Sequence, residues 1–135
     1  MKTLLFASLL VLSSLVLSLA GCATPPETSS SLIDRQELKV DPDIIYALDV
    51  TELFQERMEQ PGDGSLLQVQ FAVEARSDAD MAWKVTWFDA NGMVVKGVGK
   101  GYRKATLLTG QTRYFSATAP HERVESFQLH LREPK

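Results

Sequence analysis

Leu66-Leu67-Gln68-Val69-Gln70-Phe71-Ala72-Val73-Glu74-Ala75-Arg76 decides the fold of this chain. Leu67, Val69, Phe71, Val73 and Ala75 alternate with Gln68, Gln70, Ala72, Glu74 and Arg76. A period of two sends successive side chains to opposite faces of a strand. One row is apolar and the other largely polar, so this strand covers a core on one side and meets water on the other. That is antiparallel behaviour, because parallel sheets are covered on both faces.

Turn sequences bracket the strand: Gln60-Pro61-Gly62-Asp63-Gly64 before it and Ser77-Asp78-Ala79-Asp80 after it. Downstream, Ala82 to Phe88 reads as a strand with Trp83, Val85 and Trp87 on one face and Lys84, Thr86 and Phe88 on the other. Asp89-Ala90-Asn91-Gly92 predicts a hairpin, with Met93 to Val95 returning. Gly97-Val98-Gly99-Lys100-Gly101 is a glycine-dense bulge or edge; no helical pattern comes after it, so it is not a phosphate loop. Tyr102 to Leu108 reads as a weaker strand, Thr109-Gly110-Gln111 as a turn, and Thr112 to Thr118 as a strand. Pro120 to Ser126 is expected to be a loop or one helical turn. Phe127, Leu129 and Leu131 against Gln128, His130 and Arg132 make a closing strand. Upstream, Ile44 to Glu59 suits a strand or a helix, and the β character of the chain beyond it favours a strand. About seven short strands and no sustained helix predict an all-β, antiparallel two-layer sandwich.

The N-terminus carries an address. Lys2 gives a basic start, and Leu4 to Leu19 form an apolar run too short to span a bilayer comfortably. Leu19-Ala20-Gly21-Cys22 then resembles the bacterial lipobox, with cleavage between Gly21 and Cys22. That resemblance implies a diacylglyceryl thioether and an amide-linked acyl chain such as palmitate on Cys22. Each buried methylene contributes about 0.8 kcal/mol, so several chains on one residue anchor it firmly. Ala23, in place of Asp, resembles the class sorted to the outer membrane. The expected organisation is a signal peptide over 1–21, a lipidated N-terminus and tether over 22–42, and a sandwich domain over 43–135. Thr24-Pro25-Pro26-Glu27-Thr28-Ser29-Ser30-Ser31 has the composition of an extended spacer. Leu32, Ile33, Leu38 and Val40 are apolar exceptions, either an edge strand or the loosely ordered start of the domain.

Charge excludes some partners. Removing residues 1–21 from the 135 leaves 114 and takes Lys2, so 13 of the 14 basic residues remain against 17 acidic ones. A mildly acidic chain without a basic stripe is not expected to bind nucleic acid. The single cysteine, Cys22, allows no internal disulfide.

Trp87-Phe88-Asp89-Ala90-Asn91-Gly92, then Leu108-Thr109-Gly110, Ala119-Pro120 and Phe127-Gln128-Leu129-His130-Leu131-Arg132, succeed one another in an order that resembles the YcfL-type family of small bacterial lipoproteins. The resemblance covers roughly residues 43–132. Tyr102 departs from it where a Trp is expected, and Arg76-Ser77 departs where Asn-x-Ser is expected. The resemblance implies an immunoglobulin-like β-sandwich. It implies no activity, because that family is uncharacterised.

No catalytic set stands out. The two histidines, His121 and His130, fall short of the ligands a zinc site needs, so no metal or other cofactor is expected. No G-x-S-x-G elbow surrounds a serine. Asp41, Asp43, Asp78 and Asp80 sit in turn sequences, where aspartate bonds to local backbone. Trp83 and Trp87 share a face and are expected in the core, which places Phe88 outside, in an interaction patch with Tyr102 and Phe115. The expected function is a non-enzymatic module at the periplasmic face of the outer membrane that binds an envelope protein. Binding of peptidoglycan or another glycan through exposed aromatics is the alternative, and a hydrolase ranks last.

Overall fold

The computed structural model describes residues 35–97 and 101–135. The leader, Gly21, Cys22, Ala23 and the tether as far as Asp34 lie outside the described residues, as do Val98, Gly99 and Lys100. Seven strands form: β1 (Leu38–Val40), β2 (Leu48–Glu59), β3 (Ser65–Ala75), β4 (Ala79–Asp89), β5 (Arg103–Leu107), β6 (Thr112–Thr118) and β7 (Val124–Arg132). They make two sheets, one in the order β1-β7-β4-β5 and the other in the order β2-β3-β6. The chain is an all-β sandwich, as its alternation requires.

β3 is the centre of the smaller sheet. β2 runs antiparallel on one side, from Leu48 opposite Ala75 to Glu59 opposite Ser65. β6 runs antiparallel on the other, from Gln68 opposite Thr118 to Glu74 opposite Thr112. The apolar row of β3 faces inward, and none of Leu67, Val69, Phe71, Val73 and Ala75 is more than 4 % exposed. Met81 and Trp83 of β4, Leu107 of β5, and Val124, Phe127, Leu129 and Leu131 of β7 meet it from the other sheet. The centre is aromatic. Phe71 packs edge-on against Trp83 at 5.0 Å between centroids and stacks on Phe115 at 5.2 Å. Such pairs add about 0.5–1.5 kcal/mol beyond their buried area.

β1 corrects two expectations. It pairs with β7 in parallel, Leu38 opposite Leu129 and Val40 opposite Leu131, inside a sandwich read as antiparallel. It also lies within the stretch 22–42 assigned to the tether, so the domain begins before residue 43. The physical reason is Leu38, only 6 % exposed, which caps the core at the sheet edge. The Glu37 carbonyl accepts from the Leu129 amide and the Leu131 carbonyl from the Asp41 amide, which closes the pair.

Several boundaries shift for local reasons. Ile44 N–H and Ala47 N–H bond back to the Asp41 and Ile44 carbonyls, so Asp41–Ala47 is a turn and β2 starts at Leu48. A register shift between Val50 and Glu52 then changes the facing of the strand's second half. β4 starts at Ala79, which narrows the Ser77–Asp80 turn. β7 starts at Val124, inside the loop expected over Pro120–Ser126. The Asp89–Gly92 hairpin forms as its sequence requires: Gly92 takes φ 77°, and the Asp89 carboxylate accepts from the Asn91 and Met93 amides. Its return strand over Met93–Val95 shrinks to one bridge, Phe88 to Val94, with the Val95 amide donating to the Trp87 carbonyl.

Candidate functional site

The outer face of the β1-β7-β4-β5 sheet assembles a polar cluster from four strands. Register decides its members. Lys39 lies opposite His130, and His130 opposite Lys84. Tyr102 directly precedes Arg103, which pairs with Trp83, so Tyr102 flanks Lys84 on the β5 side. The next row carries Arg132 opposite Ala82, and Ala82 opposite Lys104.

An Asp41–His130–Tyr102 chain runs across these rows. His130 Nε2 lies 2.7 Å from Asp41 Oδ1, and His130 Nδ1 lies 2.7 Å from Tyr102 Oη. The carboxylate only accepts, so Nε2 carries the proton and donates to Asp41. Nδ1, at the other side of the ring, is hydrogen-bonded to the Tyr102 hydroxyl. Tyr102 therefore reaches over β4 to β7 and lies between two cations. The Arg132 guanidinium is 3.7 Å and the Lys84 ammonium 4.9 Å from its ring centroid. Ala82, opposite Arg132 and two residues before Lys84, is 1 % exposed.

The hydrogen bond from His130 holds the Asp41 carboxyl below its ordinary 3.8, opposed by desolvation and aided by the charges of His130, Lys39 and Arg132. A folded-state pKa below the unfolded one stabilises the fold above the unfolded value, and that contribution is lost as pH falls through the folded value. Acid unfolding below pH 3.8 should therefore be shallower in Asp41→Asn, as read from urea midpoints at stepped pH. Asp78, lowered in the same way by bonds from the Thr109 amide and hydroxyl, keeps part of the slope in that variant. Equal slopes in the two proteins would contradict the assignment.

The carboxylate–imidazole–hydroxyl order obeys the logic of a hydrolytic triad, with a phenol in place of the serine. No serine joins His130 in this chain of bonds. His121, the other histidine, accepts from the Arg123 amide on an exposed loop. Among the described residues, no group of three or more His, Cys, Asp or Glu stands where it can hold a metal ion.

The structure does not gather Phe88, Tyr102 and Phe115 into one patch. Phe115 points inward, because β6 places it opposite Phe71, and it packs on the core. Phe88 shares the outer face with Tyr102 and is opposite Ser126. It lies four residues beyond Lys84, about 13 Å along the strand. Trp83 is in the core. Trp87 is half-buried in a cleft of about 390 Å³, beside Val85, Val95, Lys96 and Arg103.

Tyr46, in the turn before β2, is 84 % exposed, and the exposed aromatics carried by strands are on the opposite sheet. The outward positions of β2-β3-β6 run in rows: Glu52, Ala72 and Tyr114; Phe54, Gln70 and Ser116; Glu56, Gln68 and Thr118. Phe54 and Tyr114 are each 60 % exposed, and Met58 extends the apolar surface beside Leu66. Asp49, Glu52, Glu56 and Glu74 also point outward, and the strands place no lysine or arginine there. Arg76, just past β3, pairs with Asp49 at 3.1 Å.

The sequence reading missed both constellations. The outward position of His130 and Arg132 was visible in the β7 alternation. Asp41 was not, because it is 89 residues from His130 and comes after a three-residue strand. The bulge after Val50 hid the outward placement of Phe54.

A family model described as "Protein of unknown function (DUF1425)" matches residues 50–133, which include β3 to β7 and most of β2. Among solved structures, the chain is similar to Campylobacter jejuni cj0090, at 19 % identity and TM-score 0.61, over 74 % of this chain and 100 % of that one. It is also similar to a DUF1425 family member from Shewanella sp. pv-4, at 24 % identity and TM-score 0.53, over 65 % of this chain and 79 % of that one. These likenesses concern the fold. No curated protein matches significantly.

Proposed function

Because this chain belongs to the DUF1425 family, a family of unknown function, we propose its role from its own residues: a lipid-anchored, non-enzymatic module that binds an envelope protein through the outer face of β2-β3-β6. The lipobox at Leu19–Cys22, Ala23 after it, and the resemblance to YcfL-type lipoproteins support an anchor at the periplasmic face of the outer membrane. The observation that carries the binding role is the exposure of Phe54 and Tyr114 on one sheet face. Exposed aromatics grouped with apolar neighbours mark protein interfaces, where they dominate the binding energy.

The carboxylates define the partner's chemistry. With Glu52, Glu56 and Glu74 around the aromatics, the face suits a protein surface that has apolar pockets and a basic rim. Opposed charges steer the encounter, and the aromatics slow dissociation. The glycan alternative rested on Trp83 and Trp87, and the burial of Trp83 in the core removes half of that support.

The test is co-purification from detergent-solubilised envelopes, comparing the wild-type chain with a Phe54→Ser/Tyr114→Ser variant. Both positions are exposed, so folding should survive, which circular dichroism checks. One envelope protein should be recovered stoichiometrically with the wild type and fall at least about tenfold with the variant, as loss of two interface aromatics implies. Equal recovery would contradict the assignment of this face. Retention on purified peptidoglycan that depends on Trp87 would favour the glycan reading.

A further inference from the structure

We infer that the outer face of β1-β7-β4-β5 holds a second binding site, for a phosphate group, formed by Lys84 and Arg132 on either side of Tyr102 and supported by Lys39. The site is on the opposite side of the sandwich from the proposed protein-binding face and stands independently of it.

Charge segregation is the first ground. The chain is acidic overall, at a formal −3. Lys39, Lys84, Lys104 and Arg132 nevertheless share two adjacent rows of this one face. Among the described residues, none of the four pairs with a carboxylate. Glu37 pairs with Arg35, Asp41 with His130, and Asp80 accepts from the Thr106 hydroxyl. Asp41 lies within reach of the charges of Lys39 and Arg132, and against this one carboxylate the cluster gathers four cations with no direct ion pair. The like charges in excess of Asp41 repel one another, and a bound anion lowers that cost.

Preorganisation is the second ground. A lysine on a sheet surface ordinarily loses rotamer entropy when it binds. Here the Tyr102 ring is fixed by its bond to His130, which Asp41 holds in turn. The ring positions the Arg132 guanidinium by stacking and draws in the Lys84 ammonium. Arg132 Nε is buried with no hydrogen-bond partner among the described residues, so any donation to a ligand falls to the terminal nitrogens of the guanidinium. Ala82, opposite Arg132 and two residues before Lys84, is covered, so a ligand meets the two cations at the outer edge of the cluster.

The donors define the ligand class. A guanidinium fork presents two parallel N–H groups to a tetrahedral oxyanion, and an ammonium adds a compact charge. The Tyr102 hydroxyl is committed to His130 and contributes the ring, not a donor. Phosphate fits this set, either as the free ion or as the headgroup of a phospholipid. The second source is consistent with a domain whose edge strand β1 comes directly after a membrane tether.

The test uses the full chain at constant ionic strength, titrated separately with inorganic phosphate, glycerol 3-phosphate and chloride. Nuclear magnetic resonance tracks the His130 imidazole and Tyr102 ring signals, with Phe71 as the distant reference. Both phosphates should give saturable shifts at His130 and Tyr102, none at Phe71, and chloride should give none. Lys84→Ala and Arg132→Gln should each weaken the binding about tenfold, the size of one lost charge-assisted contact. Lys84→Ala alters a surface side chain and keeps the test valid if Arg132→Gln fails to fold. Tighter binding of glycerol 3-phosphate would identify the headgroup as the source, and tighter binding of inorganic phosphate the free ion. Shifts that rise linearly without saturation, or that Lys84→Ala leaves unchanged, would overturn the inference.

Discussion

Phe71→Ala is expected to cost the fold about 3–5 kcal/mol, the range for deleting a buried phenyl ring. For a domain of this size that lowers the melting midpoint by roughly 20 °C. Phe71 is 1 % exposed and packs against two other aromatics of the core, Trp83 at 5.0 Å and Phe115 at 5.2 Å. Its removal forfeits transfer energy and leaves a cavity between two sheets. The sheets cannot close over that cavity without disturbing the β3 register. Phe54→Ala, on the outer face of the neighbouring strand, is the control and should change stability by no more than about 0.5 kcal/mol. Urea unfolding monitored by tryptophan fluorescence measures both, and Trp83 beside Phe71 makes the probe local. A loss below about 1 kcal/mol for Phe71→Ala, under the range for a buried ring, would place the centre of the core elsewhere.

Cys22→Ala is expected to abolish lipid attachment completely. The proposed processing removes residues 1–21 and puts three acyl chains on one sulfur and one amine. At about 0.8 kcal/mol per buried methylene, the proposed chains are sufficient for firm anchoring. Intact-mass measurement on the purified chain reads the outcome directly. The wild type should lose the leader mass and gain acyl mass, and the alanine variant should gain none. Two masses that differ only by the substitution would refute the anchor.

The fold was legible where one residue's parity agreed with its neighbours'. Along β3, five inward residues alternate with outward ones, and all five are buried. Trp83 in the core and Phe88 outside obey the same rule on β4. Parity failed where the backbone breaks it. The register shift between Val50 and Glu52 turns the second half of β2, which hid Phe54 as a surface residue. Parity within one strand also says nothing about which strand lies opposite. Phe115 alternates with Tyr114 whichever of them faces in, and only its position opposite Phe71 settles the matter.

The candidate sites were less legible because they are built by long-range pairing. His130 was visible as a polar residue on the last strand. Its partners are 28 and 89 residues away, brought in by β5 and by a three-residue strand within the stretch read as spacer. Net charge misled in a similar way. A chain of formal −3 conceals a face with four cations and an opposite face with four carboxylates, because composition averages over sides that the sandwich separates.

Whether an anchored sandwich meets its partner through β2-β3-β6 is measured most directly by photo-crosslinking in intact cells. A photoreactive residue is placed at position 54 in one version of the chain and at position 88 in another. Position 54 is predicted to crosslink to one envelope protein, and position 88, on the opposite sheet, is not. Crosslinking to the same protein from 88 and not from 54, or to none from 54, would contradict the claim.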